Sequence, residues 1–433
     1  MTGIDPDWLA IRIRTSAGEL RASTSATHLV RSRPGFGWRL SPAPGSILAS
    51  SRMADWDPEP DYFHHWIRDA AIALASVPHA IAADPGSRDF WRKAVTDHIR
   101  FSLKISDPDR HGPATNPRRA STRPSHLEYL RPDAELAALT GAVWLEEPRF
   151  AADGSPDLER WSRPQDDGPA LRASGLMRLQ ESLPEAATED ADRLIDRDLA
   201  YVLSVAGRPA IGPWEEEPAR RTTFTLIAEW DALDRAADRA QARGQSPDAY
   251  RDAADRVASL VDQAVDPATG AIRESIEAPE GHLDSATVLA ILHADRPSGP
   301  FALTAPRTLA TVAALERTFA DIYPINRGRD VPAIGRWADD VYFGGNPWYP
   351  NTLGFAELHY RIAALTGDEE ALAKAEARMS LIAEYVPDPK TTLPEQFDRE
   401  TGAPTSCLAL TWSAAAFLAA TAARAKVVQT LAR

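Results

Sequence analysis

A single cysteine, Cys407, stands in the 433 residues. That excludes an internal disulfide framework and any metal site built on several thiolates. No run of about 18 uninterrupted apolar residues occurs, so no segment reads as a membrane span. The opening Met1-Thr2-Gly3-Ile4-Asp5-Pro6-Asp7 lacks a basic stretch followed by an apolar one. No secretory leader is read there, and the expected location is cytoplasmic. There is no Gly-x-Ser-x-Gly elbow, no phosphate-cradling Gly-Lys-Ser/Thr loop and no dinucleotide fingerprint. Positive charge is also short: 48 Lys and Arg against 62 Asp and Glu leave −14. An acidic surface repels phosphate backbones and anionic headgroups, so neither nucleic acid nor membrane is expected as a partner.

What is present is an ordinary soluble composition, 44% hydrophobic and 25% charged, with 12 tryptophans, several of them in loops. Residues 1–60 read as a short β-like or irregular lead-in. Ile11-Arg12-Ile13-Arg14 alternates like a strand, and prolines at 34, 42, 44, 58 and 60 interrupt the rest of that segment. From residue 61 to 433 the pattern is all-α and is read as one domain. Alanine-rich segments of period 3.6 fall near 66–77, 88–104, 169–182, 189–206, 221–241, 247–264, 283–293, 303–319, 351–365, 368–384 and 411–426. A twelfth candidate, 127–142, contains Pro132. Short connections such as Thr366-Gly367-Asp368, a C-cap and then an N-cap, alternate with long ones rich in Gly, Pro and Trp. Such a pattern gives stacked helix hairpins, as a solenoid or a closed toroid. The lack of a fixed-period repeat favours the toroid, whose long loops would gather at one end.

Five segments place aromatic, acidic and arginine side chains in or beside the long loops: Tyr62-Phe63-His64-His65-Trp66-Ile67-Arg68-Asp69, Trp161-Ser162-Arg163-Pro164-Gln165-Asp166-Asp167-Gly168-Pro169-Ala170-Leu171-Arg172, Gly212-Pro213-Trp214-Glu215-Glu216-Glu217-Pro218, Gly335-Arg336-Trp337 through Trp348-Tyr349, and Leu393-Pro394-Glu395-Gln396-Phe397-Asp398 with Leu410-Thr411-Trp412-Ser413. Alone, the triple glutamate reads most simply as an acidic helix start. The histidine pair makes a poor metal site, because neighbours on a strand face opposite ways and no third ligand is spaced to join them. Together, carboxylates in separate loops with tryptophans and arginines around them suit acid/base cleavage of a glycosidic bond. One carboxyl donates a proton to the leaving oxygen and the other activates water. That reaction needs no metal or cofactor.

In this order the five segments resemble glycoside hydrolase family 15, the glucoamylase family, over residues 60 to 425 or so. The resemblance implies an (α/α)6 toroid of six helix hairpins and inverting release of β-glucose from non-reducing ends of α-glucosides. It implies Glu215 as general acid, Glu216 as its acidic neighbour and Glu395 as general base, with Tyr62 helping to hold the water. Arg68, Asp69, Trp214, Arg336 and Trp412 correspond to residues around the released glucose, Trp66 and Trp337 to further substrate-binding positions, and Trp161 with Arg163 to a wall near the cleavage point. Glu217 is an additional acid with no counterpart role. The family's frequent Ala-Arg-Asp before Leu-Thr-Trp is Cys407-Leu408-Ala409 here, and Trp337 stands where tyrosine is common.

The family's frequent β-sandwich in front and a starch-binding module are not read in the chain. Small oligosaccharides are therefore expected as substrates, in the order isomaltose, malto-oligosaccharides, trehalose. A non-catalytic sugar-binding protein on the same scaffold, and a lyase or cyclase acting on a non-sugar, are the readings from other classes.

Overall fold

The computed structural model describes residues 4–54 and 59–431. Met1–Gly3 and Pro58, which entered the reading of the lead-in, lie outside the described residues. The first departure from the sequence reading comes at once: residues 6–23 form a helix, α1 (Pro6–Ser23). Asp5 caps it through Asp7 N–H, and Pro6 supplies the fixed φ of a first helical turn. Its inward spine is Trp8, Arg12, Ser16 and Leu20, at a spacing of four. Because two of those four are polar, the helical period is hidden, and the half-buried Ile11 and Ile13 on its flanks imitate a strand. Arg12 is fully buried, and its Nη atoms donate to Glu19, Ser16 and the Thr391 carbonyl. The rest of the lead-in does contain a small antiparallel hairpin, β1 (Arg31–Arg33) with β2 (Trp38–Leu40).

Next come β3 (His64–Trp66), α2 (Ile67–Ala75), α3 (Val77–Ala83) and α4 (Arg88–Ile105). The doubtful segment around Pro132 holds only α5 (Asp133–Ala137) between 3-10 turns, and then β4 (Arg149–Ala151), which pairs with β3. The remaining helices are α6 (Asp167–Ser182), α7 (Glu189–Val205), α8 (Thr223–Ala242), α9 (Asp248–Asp262), α10 (Ala286–Ala294), α11 (Pro306–Ile322), α12 (Tyr349–Thr366) and α13 (Glu369–Tyr385). A two-residue hairpin, β5 (Gln396–Phe397) with β6 (Pro404–Thr405), precedes α14 (Thr411–Leu431).

Burial sorts these helices into two layers. In α6 and α8 nearly every residue of the first three turns is buried, as in a helix with protein on all sides. In α9 only Ala253, Ala254, Val257 and Val261 are buried, a single stripe that marks a helix with one wet face. Helices α2, α6, α8, α10, α12 and α14 form the inner ring, each packed on the next, and α14 returns to α2 to close it. The outer ring is α1, α4, α7, α9, α11 and α13, so the fold is an (α/α)6 toroid whose twelfth helix is α1 and not the segment around Pro132. A buried ion pair, Arg172 to Asp198 at 2.7 Å, ties inner α6 to outer α7. At the α12–α13 corner Gly367 takes φ +75°, and Asp368 caps α13, as the sequence implied. No helix among the described residues is long and apolar enough to cross a membrane.

This layering fixes where function can sit. The five long connections that carry the motifs all lead into the N-terminal ends of inner helices. They therefore meet at one mouth of the toroid.

Candidate active site

At that mouth lies a pocket of about 370 Å³, within the size range of small-ligand sites. Its lining gathers Tyr62, Trp66, Arg68, Asp69, Trp161, Trp214, Glu215, Glu216, Arg336, Glu395 and Trp412, all expected from sequence, together with Glu217. Trp412 also lines a second cavity, of about 430 Å³, farther along the axis among Gly175, Leu292, Gly354 and Ala419. Its indole is therefore a floor between the two.

The Trp-Glu-Glu loop is not a helix start. Thr222 caps α8 by accepting from Thr225 N–H, which leaves residues 215–217 outside the first turn. Glu215 instead adopts φ +66°, a left-handed conformation that costs a non-glycine residue of the order of 1–3 kcal/mol and concentrates at functional sites. The bend is held by Glu215 N–H to the Gly212 carbonyl at 3.0 Å and by Ser162 Oγ donating to the Glu215 carbonyl at 2.8 Å. The carboxylate then receives three donors on one oxygen. Oε1 accepts from Trp66 Nε1 at 2.7 Å, from Gln165 Nε2 at 3.0 Å and from Arg68 at 3.5 Å.

Arg68 is itself pinned by Gln165 Oε1 and Asp167 at 2.9 and 3.1 Å, both at the start of α6. Asp69, one residue on, is pushed up to about 6, chiefly by burial. Arg68 opposes that shift, and the negative charges of Glu215 and Asp167 add to it. Trp214 donates its indole N–H to both Asp284 oxygens, at 3.0 and 2.8 Å. Its ring stacks on Trp412 with centroids 6.0 Å apart and lies 5.1 Å from Trp348. Arg336 is held by Asp340 at 2.8 Å and reaches Glu216 Oε1 at 3.3 Å.

Glu395 enters from the opposite wall. Its backbone is fixed on both sides, with its N–H to the Cys407 carbonyl at 2.7 Å and its carbonyl accepting from Tyr349 N–H at 2.9 Å, at the start of α12. Burial pushes its carboxyl up to about 7, against hydrogen bonds from Ser406 and Tyr62 and the charge of Arg336, with Asp69 adding to the rise. The hydroxyls of Tyr62 and Tyr342 lie 2.7 Å apart, and Tyr62 meets Trp66 edge to face at 5.6 Å. Tyr62 thus links Glu395 to Trp66, the partner of Glu215.

Two expected contacts are corrected. Arg163 does not line the pocket: its guanidinium is turned back onto Glu147 at 3.0 Å and Asp157 at 3.1 Å, behind the tryptophan wall. Trp337 faces a side pocket of about 250 Å³ and packs over the Arg336 guanidinium at 4.2 Å. His64 and His65 are both buried, His65 against the backbone of Ile47 and His64 edge-on to Trp66. Among the described residues no group of His, Cys, Asp and Glu is arranged to hold a metal.

Residues not singled out from sequence also take part. Tyr342 and Trp348 line the pocket and stood in a quoted segment, where their aromatic character was the signal. Ser406 and Asp284 gave none: each is a short polar residue whose importance comes from what folds onto it.

The structure is a closed helical toroid with a tryptophan-walled, carboxylate-lined pocket at one mouth. The model for glycosyl hydrolases family 15 matches residues 136–422, and the chain belongs to that family. Glucoamylase-1 of Arthroderma benhamiae is 28% identical over 440 residues, covering 89% of this chain. The chain spans 65% of that relative's length. Glucoamylase 1 of Rhizopus oryzae is 27% identical over 443 residues, 88% of this chain and 67% of its own. Among solved structures, glucoamylase of Hormoconis resinae superposes with a TM-score of 0.76 at 26% identity, over 97% of this chain and 74% of that one. A structure described as a wild-type glycosidase, 18% identical with a TM-score of 0.65, covers 98% of this chain and 100% of its own, a likeness of fold alone.

Proposed function

We propose that the chain is an inverting, exo-acting α-glucoside hydrolase, with Glu215 as general acid and Glu395 as general base. In the step, water attacks the anomeric carbon and gives a proton to Glu395. The bond to the leaving oxygen breaks, and that oxygen takes the proton of Glu215, so glucose leaves with inverted configuration. One observation carries the reading: two carboxyls from loops 180 residues apart face a single pocket, each with its own hydrogen-bonded support. Three donors occupy Glu215 Oε1, so the proton it gives resides on Oε2. Tyr62, whose hydroxyl neighbours Glu395, helps to hold the water.

The floor formed by Trp412 supports attack at chain ends, because its indole stands between the pocket and the cavity beyond. Arg68, Asp69 and Arg336 offer charged hydrogen-bond partners to the hydroxyls of a bound glucose, and the indole faces suit its apolar sides. For the linkage, the relatives named glucoamylase favour α-1,4-linked malto-oligosaccharides over the isomaltose expected from sequence. Initial rates of glucose release from maltotriose, isomaltose and trehalose test the assignment. The reading predicts hydrolysis with maltotriose fastest. Isomaltose fastest would transfer it to α-1,6 linkages, and no glucose from any of the three would refute it.

A further inference from the structure

We infer that Arg149 is a positioning residue for this reaction: it clamps the indoles of Trp66 and Trp161 so that Trp66 presents its N–H to Glu215. The inference rests on the reading of Glu215 as the acid. Arg149 lies in β4 directly across the ladder from Trp66 in β3, and its side chain is buried. Its guanidinium carbon sits 3.6 Å from the ring centroid of Trp161 and 5.0 Å from that of Trp66. The two indoles meet edge to face, centroids 5.9 Å apart and planes at 73°. Both line the pocket and Arg149 does not. One flat cation therefore holds two walls from behind.

The clamp is itself held. Arg149 Nε donates to Asp157 Oδ2 at 2.8 Å, and the same oxygen accepts from Arg163 at 3.1 Å. Arg163 continues to Glu147, which takes two bonds of 2.8 Å from Arg131. This network is where Arg163 spends its charge in place of the pocket. A buried network of this kind leaves Arg149 little freedom, and its ring contacts pass that restriction to Trp66. The indole then delivers a 2.7 Å hydrogen bond to the carboxylate oxygen that must stay unprotonated while its partner carries the proton. Only arginine meets the geometry, because a planar guanidinium lies flat on an indole and still donates in its own plane. A lysine at 149 keeps the charge and loses the flat contact.

The test is steady-state kinetics on Arg149→Lys, Trp66→Phe and the double variant, with melting temperature and the near-ultraviolet circular dichroism of the tryptophans recorded on each. Arg149→Lys is expected to lower kcat roughly 100-fold, the scale of a misplaced catalytic hydrogen bond, with a smaller change in KM. It should also alter the tryptophan bands. In the Trp66→Phe background the same change should cost only a few-fold, because the group it acts through is gone. Equal losses in both backgrounds, or wild-type kcat in the lysine variant, would overturn the inference.

If Arg149→Lys does not fold, Asp157→Asn keeps the guanidinium and releases its tether. A kcat loss of the same kind supports the clamp, and unchanged kcat removes it. A wild-type protein inactive on every α-glucoside would refute the acid assignment instead. The clamp is then judged by the tryptophan bands alone, and bands unchanged in Arg149→Lys would refute it.

Discussion

Ser406 donates its hydroxyl to Glu395 Oε2 while its own backbone holds φ at +61°. A serine in the left-handed region is kept there at a conformational cost, and the hydrogen bond is what that position delivers. It favours the ionised carboxylate, against the burial that pushes Glu395 up to about 7. A general base works only when ionised, so the acidic limb of the kcat/KM profile should rise with pH through about 7. Ser406→Ala removes a donor to the charged form and should move that rise upward by about one to two pH units. Ser406→Gly should shift it equally while relieving the backbone. A pH profile of kcat/KM for the three proteins checks the sign; a shift to lower pH contradicts it.

The 2.7 Å bond from Trp66 to Glu215 predicts a kcat effect. Trp66→Phe retains the ring and removes the donor, so kcat should fall about 10–100-fold with KM little changed, as for a hydrogen bond that matters most in the transition state. Kinetics on maltotriose distinguish this from loss of substrate contact, which would raise KM instead.

Four carboxyls near the barrel axis share one stability consequence. Asp284 is pushed up to about 8, Glu395 and Glu357 to about 7 and Asp69 to about 6, each mainly by burial. A folded-state pKa above the unfolded one means that the native protein binds more protons. The stability these groups give is therefore complete near pH 4 and is lost as pH rises to about 8. Asp284→Asn keeps an acceptor for the Trp214 indole and cannot ionise. Its melting temperature should fall less than the wild type's between pH 5 and pH 8, measured by thermal unfolding, and a steeper fall would contradict the assignment.

Helix α1 is the barrel's first outer helix, and Arg12 is its test. Arg12→Met leaves Glu19 without its cation and should destabilise the fold by about 3–5 kcal/mol, read from denaturant unfolding. Adding Glu19→Gln should recover much of that, because the uncompensated charge is then gone.

The ring of helices was legible because outer members such as α4, α7 and α9 carry an apolar period while inner ones such as α6 and α12 are buried on nearly every face. The candidate site drew notice because its tryptophans and acids stand in unusual loops. What escaped did so for physical reasons. Helix α1 hides its period behind buried Arg12 and Ser16. Arg163 and Trp337 lie beside pocket residues in sequence, but Arg163 turns back onto Glu147 and Asp157, and Trp337 lines an adjoining side pocket that shares Trp214 and Glu216 with the main one, directions that spacing alone does not carry. Ser406 is brought to Glu395 by the β5–β6 hairpin, and Asp284 to Trp214 by folding across 70 residues, and neither residue matters without that contact.

The central claim is inversion by Glu215 and Glu395 across one pocket. It is tested most directly by proton nuclear magnetic resonance of the first glucose released from maltotriose, before the anomers equilibrate. The account predicts the β-anomer, and several orders of magnitude less of it from Glu215→Gln and Glu395→Gln. The α-anomer as first product, or full activity in Glu395→Gln, would contradict it.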